Sequence, residues 1–409
     1  MVEESIKKGY QKTEVGIIPE DWDLEKINKV SIKLLSGGTP STTNPEYWNG
    51  DIPWTRGAVL TQRYIDTGEH FISKNGLKNS ASVLIPKHNL IVASRVSIGN
   101  LSINKIDIAI NQDITGVIIN KEKILVDYLY WYLFYFLNKI IAFSQGTSIQ
   151  GFTRNELKEF LIALPSLPEQ EKIVNILSNI DELIQQIDYL ITKKKNIKQG
   201  AMQELLTGTK RLDGFNEKWI FTKLDEVAEM FSGGTPLTSN RSYYDGNIPW
   251  VIITDITKAK KYLYSTEKNI TQQGLESCSA KIFQKGVLLF AMYASIGKCC
   301  IAKIDVTCNQ AILGIVTKKI DTEFLYQHMV FSEKRFSQMG QTGTQNNLNK
   351  EMVQNLDIPY PHIDEQIAIG KILSDMDVEI NELEKNRDKY VMIKNGMMQK
   401  LLTGEIRLK

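Results

Sequence analysis

Cysteine and histidine are scarce in this sequence, and neither is grouped as a metal site requires. Four cysteines occur in 409 residues, all in the second half, at Cys278, Cys299, Cys300 and Cys308, and none belongs to a C-x-x-C pair. The four histidines lie far apart along the chain. Because zinc ligands come at close, regular spacing, we expect no metal site. Unpaired thiols are typical of a reducing compartment, so we expect a cytoplasmic protein without disulfides.

Long apolar runs are also missing. The most apolar stretch, YLYWYLFYFL at residues 128–137, is much shorter than the roughly 20 residues of a membrane helix. Asp127, Asn138 and Lys139 bracket it. The start of the sequence holds no apolar segment of the kind found in secretory signals. We therefore expect a core helix at 128–137 and no membrane partner.

Charge of one sign is not in excess. The 49 Lys and Arg residues balance 47 Asp and Glu residues, for a formal net charge of +2. Such a balance neither indicates nor excludes a nucleic-acid partner, because a local basic face can lie opposite acidic surfaces. With 42% hydrophobic residues over 409 positions, the chain can bury large cores, and we expect two or three domains.

Motifs of nucleotide-driven or hydrolytic chemistry are absent: there is no G-x-x-x-x-G-K-[ST] and no G-x-S-x-G. The N-P-E-Y sequence at 44–47 differs by one letter from the N-P-P-Y loop of amino-methyltransferases. Its counterpart N-R-S-Y at 240–243 differs further. No strand followed by a glycine-rich turn precedes either sequence to hold S-adenosylmethionine. We expect no cofactor and no catalysis by the chain alone, with a fragment of a DNA adenine methyltransferase as an alternative.

What the sequence does contain is a tandem repeat that covers nearly the whole chain. Matching segments recur at offsets that drift by only two residues: 36–54 with 232–250, 97–112 with 295–310, and 205–212 with 401–408. Units of this length indicate duplicated domains rather than a solenoid.

Each repeat begins with about 150 residues of short β-like runs and turn signals, which predict an α/β or α+β domain. A long helix follows, whose apolar residues alternate in steps of four and three, the pattern of a coiled-coil seam. We place the first domain at 1–165, the first helix at 166–211, the second domain at 212–360 and the second helix at 361–409. The predicted seam residues are Ile173, Leu177, Ile180, Ile184, Ile187, Ile191, Ile369, Leu373, Met376, Ile380, Leu383 and Tyr390.

The second domain connects the two helices, and the ends of a domain commonly lie close together. The second helix should therefore begin beside the end of the first, which predicts an antiparallel pair. Two such domains joined by this pair would form a pseudo-twofold dumbbell. Two heads at a fixed separation suit paired DNA readers, and they equally suit a two-headed protein adaptor.

The order of domain, PSLPEQEKIVNIL, heptad helix and LLTG, followed by the whole again, resembles the specificity subunit of type I restriction–modification enzymes. GGTP, IPW, SIG and NQ within the domains fit its target-recognition domains. The resemblance implies that each domain binds one half of a split site in double-stranded DNA. It also implies that the helices set the length of the non-specific gap between the two halves. It also implies that the helices dock methyltransferase (modification) subunits and, through them, a motor-nuclease (restriction) subunit.

If the two halves recognise different bases, the residues identical between them should mostly hold the fold; these include 37–40, Trp54, 97–99 and 111–112 with their second-half partners. The alternative for these residues is a set of shared phosphate contacts from exposed hydroxyls and backbone N–H groups, which carry no sequence information. Specificity should lie where aligned loops differ. Arg can contact guanine bidentately, and Asn or Gln can contact adenine. The candidate DNA-binding residues of the first repeat are Thr55, Arg56, Arg63, Ser94, Arg95, Gln145, Thr147, Ser148 and Gln150. Those of the second repeat are Thr254, Asp255, Tyr293, Gln341, Thr344, Gln345, Asn346 and Asn347.

Overall fold

A computed structural model of the chain describes residues 7–143, 151–341 and 347–409. Its contacts divide the chain into two compact units. The first joins the residues up to Gln186 with Asn386–Lys409, and the second is Ile187–Lys385. Each unit therefore takes segments from both repeats.

The first repeat alternates short strands with a few helices. Its strands are β1 (Tyr10–Thr13), β2 (Gly16–Pro19), β3 (Asp23–Lys26), β4 (Ser31–Ser36), β5 (Ile52–Thr55), β6 (Tyr64–Ile65), β7 (His70–Ile72), β8 (Val83–Ile85), β9 (Leu90–Ala93), β10 (Leu101–Asn104), β11 (Ile108–Ile110), β12 (Ile114–Ile119) and β13 (Leu161–Leu164). Its helices are α1 (Ile27–Val30), α2 (Lys74–Lys78), α3 (Val126–Phe143), α4 (Arg154–Glu159) and α5 (Leu167–Leu205).

The second repeat uses the same plan. Its strands are β14 (Ile220–Lys223), β15 (Ala228–Ser232), β16 (Tyr244–Val251), β17 (Tyr262–Leu263), β18 (Lys268–Ile270), β19 (Leu288–Ala291), β20 (Cys299–Ala302), β21 (Thr307–Cys308), β22 (Ile312–Thr317) and β23 (Asp357–Tyr360). Its helices are α6 (Ile253–Ala259), α7 (Gln272–Glu276), α8 (Thr322–Phe331), α9 (Glu333–Gln341), α10 (Lys350–Gln354) and α11 (Ile363–Leu402).

Both domains fold around a five-stranded mixed sheet with the same strand order. The order is β4-β12-β9-β10-β6 in the first domain and β15-β22-β19-β20-β17 in the second. A smaller sheet accompanies each, β7-β5-β11-β8 and β18-β16-β21. Together with the long helices α5 and α11, this confirms the prediction of tandem mixed α/β domains linked by long helices.

The central strand of each large sheet is buried on both faces. Every residue of β9 is buried, and Leu90 and Val92 pack into a different cluster from Ile91 and Ala93. The first cluster includes the aromatic side chains of α3 between 128 and 137. The aromatic stretch is thus a core helix, as predicted, because its rings cover one face of the sheet.

In each domain an early strand pairs with the last strand to form a two-stranded ribbon. In the first, β3 pairs antiparallel with β13, and in the second β14 pairs antiparallel with β23. The chain therefore enters a domain beside the point where it leaves for the long helix. This adjacency is the physical basis of the predicted antiparallel helices.

Within the first unit, the beginning of α5 lies beside the end of α11. Asp181 on α5 accepts a hydrogen bond from Lys394 Nζ on α11 at 2.7 Å. Glu169, twelve residues earlier on α5, pairs with Arg407, which lies just beyond α11. Partner numbers fall as α5 numbers rise, so the two helices are antiparallel here.

The same direction holds within the second unit. Lys198 near the end of α5 pairs with Asp377 of α11 at 2.5 Å, and Arg211 pairs with Glu365 in the first turn of α11. The two helices are therefore antiparallel in this unit as well.

Most of the predicted seam side chains are buried. Ile173 and Leu177 belong to the same core as Leu401, and Ile369 and Leu373 share a core with Leu205. The seam side chains near the beginning of each long helix are thus part of a domain core. Burial is nearly complete for Ile173, Leu177, Ile180, Ile184, Ile187, Ile191, Ile369, Leu373 and Ile380, and partial for Met376, Leu383 and Tyr390.

Among the residues that the structure describes, no helix combines the length and apolarity needed to cross a membrane.

Candidate nucleic-acid interface

Two adjoining depressions open on the surface of the first domain. The aromatic cleft, about 580 Å³, is lined by Trp48, Trp54, Arg56 and His70 among others. The polar groove, about 660 Å³, is lined by Ser36, Gly37, Ser94, Arg95, Gln112, Thr115, Gly151, Phe152, Thr153, Arg154, Asn155 and Glu156. Gln112 lines both depressions and therefore stands between them.

The polar groove brings together two of the predicted loops. The Phe152 N–H donates to the Ser94 carbonyl at 2.9 Å, so the chain that follows residue 150 runs beside Arg95. Gly151 has φ +102°, and a Cβ there would lie 2.5 Å from the Ser94 carbonyl oxygen, so glycine permits this close approach. Arg95 and Arg154 are exposed and form no ion pair with any described residue. The groove thus presents two unpaired cations.

Arg56, in the aromatic cleft, is already paired. Its Nε donates to Glu69 Oε2 at 2.8 Å, and Nη2 donates to the other carboxylate oxygen. This pair raises the pKa of Arg56 and lowers that of Glu69. A contact between Arg56 and a guanine would have to share the guanidinium with Glu69.

The second domain has a matching arrangement with different side chains. The Leu348 N–H donates to the Met292 carbonyl at 3.0 Å, so the half-buried Asn347 comes close to the loop of the half-buried Tyr293. Thr254 is exposed on α6. Tyr293, in place of Arg95, packs its ring partly against the domain core.

Four of the predicted residues are buried instead of open to the surface. Thr55 is fully buried in β5, and Ser94 is buried with its hydroxyl donating to the Asp113 carbonyl at 3.2 Å. Asp255 is buried and accepts the N–H groups of Ile252 and Glu267 at 2.9 and 3.0 Å. The fourth, Arg63, is described next. Reaching a base edge would require all four side chains to leave buried positions. Ser94, Asp255 and Arg63 would also have to leave their hydrogen-bond partners.

Arg63 joins the first domain to α5. Its guanidinium pairs with Asp127 at 2.5 Å and donates to Ser178 on α5 at 2.8 Å. It lies against the rings of Tyr64 and Trp131 at 4.8 and 4.9 Å from their centroids. An arginine on an open surface would not be buried among a carboxylate, a serine and aromatic rings. We therefore interpret Arg63 as a residue that stabilises the fold.

Lys261 takes the same position in the second unit. It pairs with Glu323 at 2.6 Å, donates to Ser374 on α11, and lies over the rings of Tyr262 and Tyr326. In both repeats, therefore, a buried cation of the domain donates a hydrogen bond to a serine of a long helix and so holds the domain against that helix.

Both units also contain an ion pair between an arginine just after one long helix and a glutamate in the first turn of the other. Arg407 binds Glu169 through Nε and Nη2 at 2.9 and 2.8 Å and also binds Asp21. Burial by itself raises the pKa of Glu169, but hydrogen bonds from Arg407, the Leu408 N–H and the Trp22 indole outweigh it and lower that pKa. Hydrogen bonds from Arg407 likewise hold the pKa of Asp21 well below its ordinary value.

The counterpart in the second unit is Arg211, which binds both carboxylate oxygens of Glu365 at 2.7 and 2.6 Å and faces Trp219. Both arginines belong to the repeated LLTG-x-x-R-L sequence, and both acids to the repeated E-Q pair that opens the long helices. These motifs therefore serve the junction between domain and helices.

Several of the predicted contacts belong to residues outside the described ranges. Gln145, Thr147, Ser148, Gln150, Thr344, Gln345 and Asn346 lie outside the described residues, and of Gln341 only the backbone, at the end of α9, is described.

The N-P-E-Y sequence forms a short helical turn at Pro45–Tyr47. Asn44 caps it, its side-chain oxygen accepting the Glu46 N–H at 3.1 Å. Asn240 caps the equivalent turn by accepting the Ser242 N–H at 3.1 Å. The asparagine oxygen that a methyltransferase loop would offer to an amine is occupied by its own backbone in both domains.

Two exposed residues in the groove were not among the sequence predictions. Gln112 is identical between the repeats, and this identity by itself favours a role in the fold. Arg154 aligns with Lys350, so a cation at this position in both repeats was the available signal.

Comparison with known proteins identifies the family. The family described as "Type I restriction modification DNA specificity domain" matches residues 19–198 and 216–391. The putative type I restriction enzyme MjaX specificity subunit of Methanocaldococcus jannaschii is 25% identical, covering 98% of each chain. The MjaVIII specificity subunit of the same organism is 26% identical, over 96% of this chain and 94% of the relative.

Solved structures have the same fold. The S subunit of a type I restriction–modification system from M. genitalium aligns with a TM-score of 0.61 and 16% identity, covering 97% of both chains. A chain from a structural study of complex assembly and conformational transition of the type I system aligns with a TM-score of 0.58 and 17% identity, covering 95% of this chain and 99% of that one. With two family matches on a twice-repeated fold, this chain belongs to the type I restriction–modification DNA specificity family.

Proposed function

We propose that the chain is the DNA-recognition subunit of a type I restriction–modification complex and leaves catalysis to its partners. Residues 1–165 and 212–360 each bind one half of a bipartite site in double-stranded DNA. Residues 166–211 and 361–409 supply the helices that set the gap and dock the methyltransferase subunits, through which the restriction subunit joins.

The observation that carries this proposal is the duplicated domain itself. The same sheet order occurs twice within one chain, and each copy leads into a long helix through the same ribbon. Most residues shared by the copies serve the common scaffold, while the loops at Arg95 and Tyr293 differ in sequence and charge. A repeated scaffold with different loops is what recognition of two different half-sites requires.

We place the base contacts on the exposed candidates. In the first domain these are Arg56 and Arg95, to which we add Arg154 in the polar groove. In the second domain they are Thr254, Tyr293 and Asn347, and the predicted residues outside the described ranges complete both sets. Because arginine can bind guanine bidentately, we expect Arg95 to influence a G·C pair of the first half-site.

For the methyltransferase contact we choose exposed apolar side chains on the helices of the second unit. Tyr189, Leu190 and Ile197 on α5 and Val378 on α11 are 68%, 41%, 47% and 54% exposed. Burying these side chains against a partner would remove apolar surface from water, which favours association. We expect Leu190→Glu to reduce co-purification of the methyltransferase, while Glu182→Gln, an exposed polar change on the same helix, leaves it intact.

The test is to sequence DNA with detection of modified bases from cells expressing the chain with its methyltransferase partner, and from cells expressing either alone. We expect methylation at a split motif only on co-expression. Methylation by this chain alone would instead make it a methyltransferase. No methylation despite a stable complex would favour the adaptor alternative.

Exchange of the two domains provides a second test. A chain with residues 1–165 and 212–360 exchanged should methylate the same two half-sites in the opposite order. An unchanged motif would refute the assignment of one half-site to each domain.

A further inference from the structure

Two of the residues that the repeats share, a threonine and a glutamine, form an exposed hydrogen-bonded pair in each domain. In the first domain the Thr39 hydroxyl donates to Gln112 Oε1 at 2.6 Å. In the second, the Thr235 hydroxyl donates to Gln310 Oε1 in the same way. Both glutamines are exposed, although the loops around them differ between the domains. A pair reproduced on two different surfaces calls for an explanation beyond folding.

The glycines that precede the threonine, and a buried tryptophan, fix the position of the threonine in each domain. A Cβ on Gly37 would lie 2.0 Å from the Ile110 carbonyl oxygen, and one on Gly233 would lie 2.1 Å from that of Cys308. Only glycine lets this turn pack against the strand that leads to the glutamine. The indoles of Trp54 and Trp250 then donate to the carbonyls of the next glycines at 3.3 and 3.1 Å.

A neighbouring asparagine holds the glutamine side. The Asn111 side chain accepts the Asp113 N–H at 3.1 Å, and the Asn309 side chain accepts the Ala311 N–H at 3.2 Å. These bonds form the same tight turn around each glutamine. Both ends of the pair are therefore fixed by buried or hydrogen-bonded neighbours in each domain.

The threonine orients the amide group of the glutamine. One of the two lone pairs of its oxygen already accepts a hydrogen bond, so each glutamine offers a ligand two N–H donors and one remaining acceptor site. Adenine recognition uses the oxygen and the nitrogen of the amide together, so an adenine would have to share the oxygen with the threonine. A phosphate oxygen only accepts hydrogen bonds and carries negative charge, and glutamine is among the side chains that bind it.

We propose that Gln112 and Gln310 form equivalent binding sites for a phosphate oxygen of the DNA backbone, one in each half-site. The inference rests on the proposed function. It adds that equivalent residues of the two domains contact the DNA backbone. Gln112 lies between the polar groove and the aromatic cleft, so a phosphate there would place neighbouring bases beside Arg95. A contact that is identical in both domains carries no sequence information, which is why different half-sites can share it.

The experiment uses the complex of the full chain with its methyltransferase partner and a duplex that contains its motif. Gln112→Ala and Gln310→Ala should each weaken binding roughly 10-fold or more, since hydrogen bonds to charged groups are strong, and the methylated motif should stay the same. Gln112→Glu should weaken binding further because a carboxylate repels phosphate. Thr39→Val should have a smaller effect in the same direction. Gln11→Ala, an exposed change in β1 outside both depressions, is the matched control and should have no effect.

Methylphosphonate substitution tests the ligand directly. Neutralising the phosphates of a half-site one at a time should identify a position that weakens binding of the wild-type complex and not of the Gln112→Ala complex. A change of methylated motif in Gln112→Ala would overturn the inference by making the residue a base contact. Binding within twofold of wild type for both alanine variants would also overturn it. Failure of the wild-type complex to recognise any bipartite motif would refute the proposed function itself.

Discussion

Replacing Arg63 by methionine should loosen the first domain from α5. Methionine keeps an apolar stem of similar length but removes the charge and its donors. Asp127 would lose its ion pair at 2.5 Å and Ser178 its donor at 2.8 Å. The rings of Tyr64 and Trp131 would lose the cation lying between them.

The expected cost follows from burial. The Arg63 side chain is 6% exposed and that of Asp127 is 28% exposed. Breaking a buried pair by removing one partner costs about 3–5 kcal/mol. Because Asp127 keeps some contact with water and a hydrogen bond from the Tyr64 hydroxyl at 2.7 Å, we expect the lower end, about 3 kcal/mol.

Hydrogen exchange measured by mass spectrometry suits this prediction, because a chain of two units need not unfold in one step. A loss of about 3 kcal/mol should speed exchange about 100-fold in the peptides of β6 and β10. The matched control is Lys26→Met, which breaks an exposed pair with Glu159 and should change exchange at most about five-fold. Equal effects of the two substitutions would refute the assignment of Arg63 as a buried structural cation.

Three further outcomes are expected. Lys261→Met should speed exchange in the second unit as Arg63→Met does in the first, and confinement of its effect to surface peptides would argue against a shared device. Glu169 has a lowered pKa in the folded chain, so its stabilising effect is complete above its ordinary value of 4.5 and is lost as the pH falls through the lowered one. Arg407→Met should therefore flatten the acid limb of the first unit's stability curve, and an unchanged limb would contradict this. Of the four thiols only Cys278 is not buried, and burial raises the pKa of Cys300 and of Cys308 to about 12. Native protein should react with one equivalent of a thiol reagent, and rapid reaction of all four would mean that the buried strands open readily.

Local patterns were enough to predict the architecture. The repeat places two equal domains in the chain, and the four-and-three spacing from Ile173 onward predicts the helices, because side chains on one helix face recur at that period. The antiparallel direction followed from connectivity alone, and the paired ribbons at the domain ends give its structural cause.

The site was less predictable, for a physical reason. Arg63 and Asp255 have the chemistry of DNA contacts, and in the sequence nothing distinguishes them from Arg95. Their burial depends on residues far away in the chain: Ser178 is 115 positions from Arg63. Gln112 was assigned to the scaffold because it is shared, yet it is exposed, since a shared residue can serve either the fold or a ligand common to both domains.

The sequence by itself determined the duplication, the mixed α/β domains, the long helices and their direction, because periodicity and chain order act over short distances. Only the tertiary structure decided which polar side chains face solvent and which are held by partners. Arg95 and Arg154 meet in one groove, whereas Arg63 and Arg407 neutralise carboxylates at the junction with the helices. Contacts between residues distant in sequence make that distinction, and the same side-chain chemistry serves binding in one place and stability in the other.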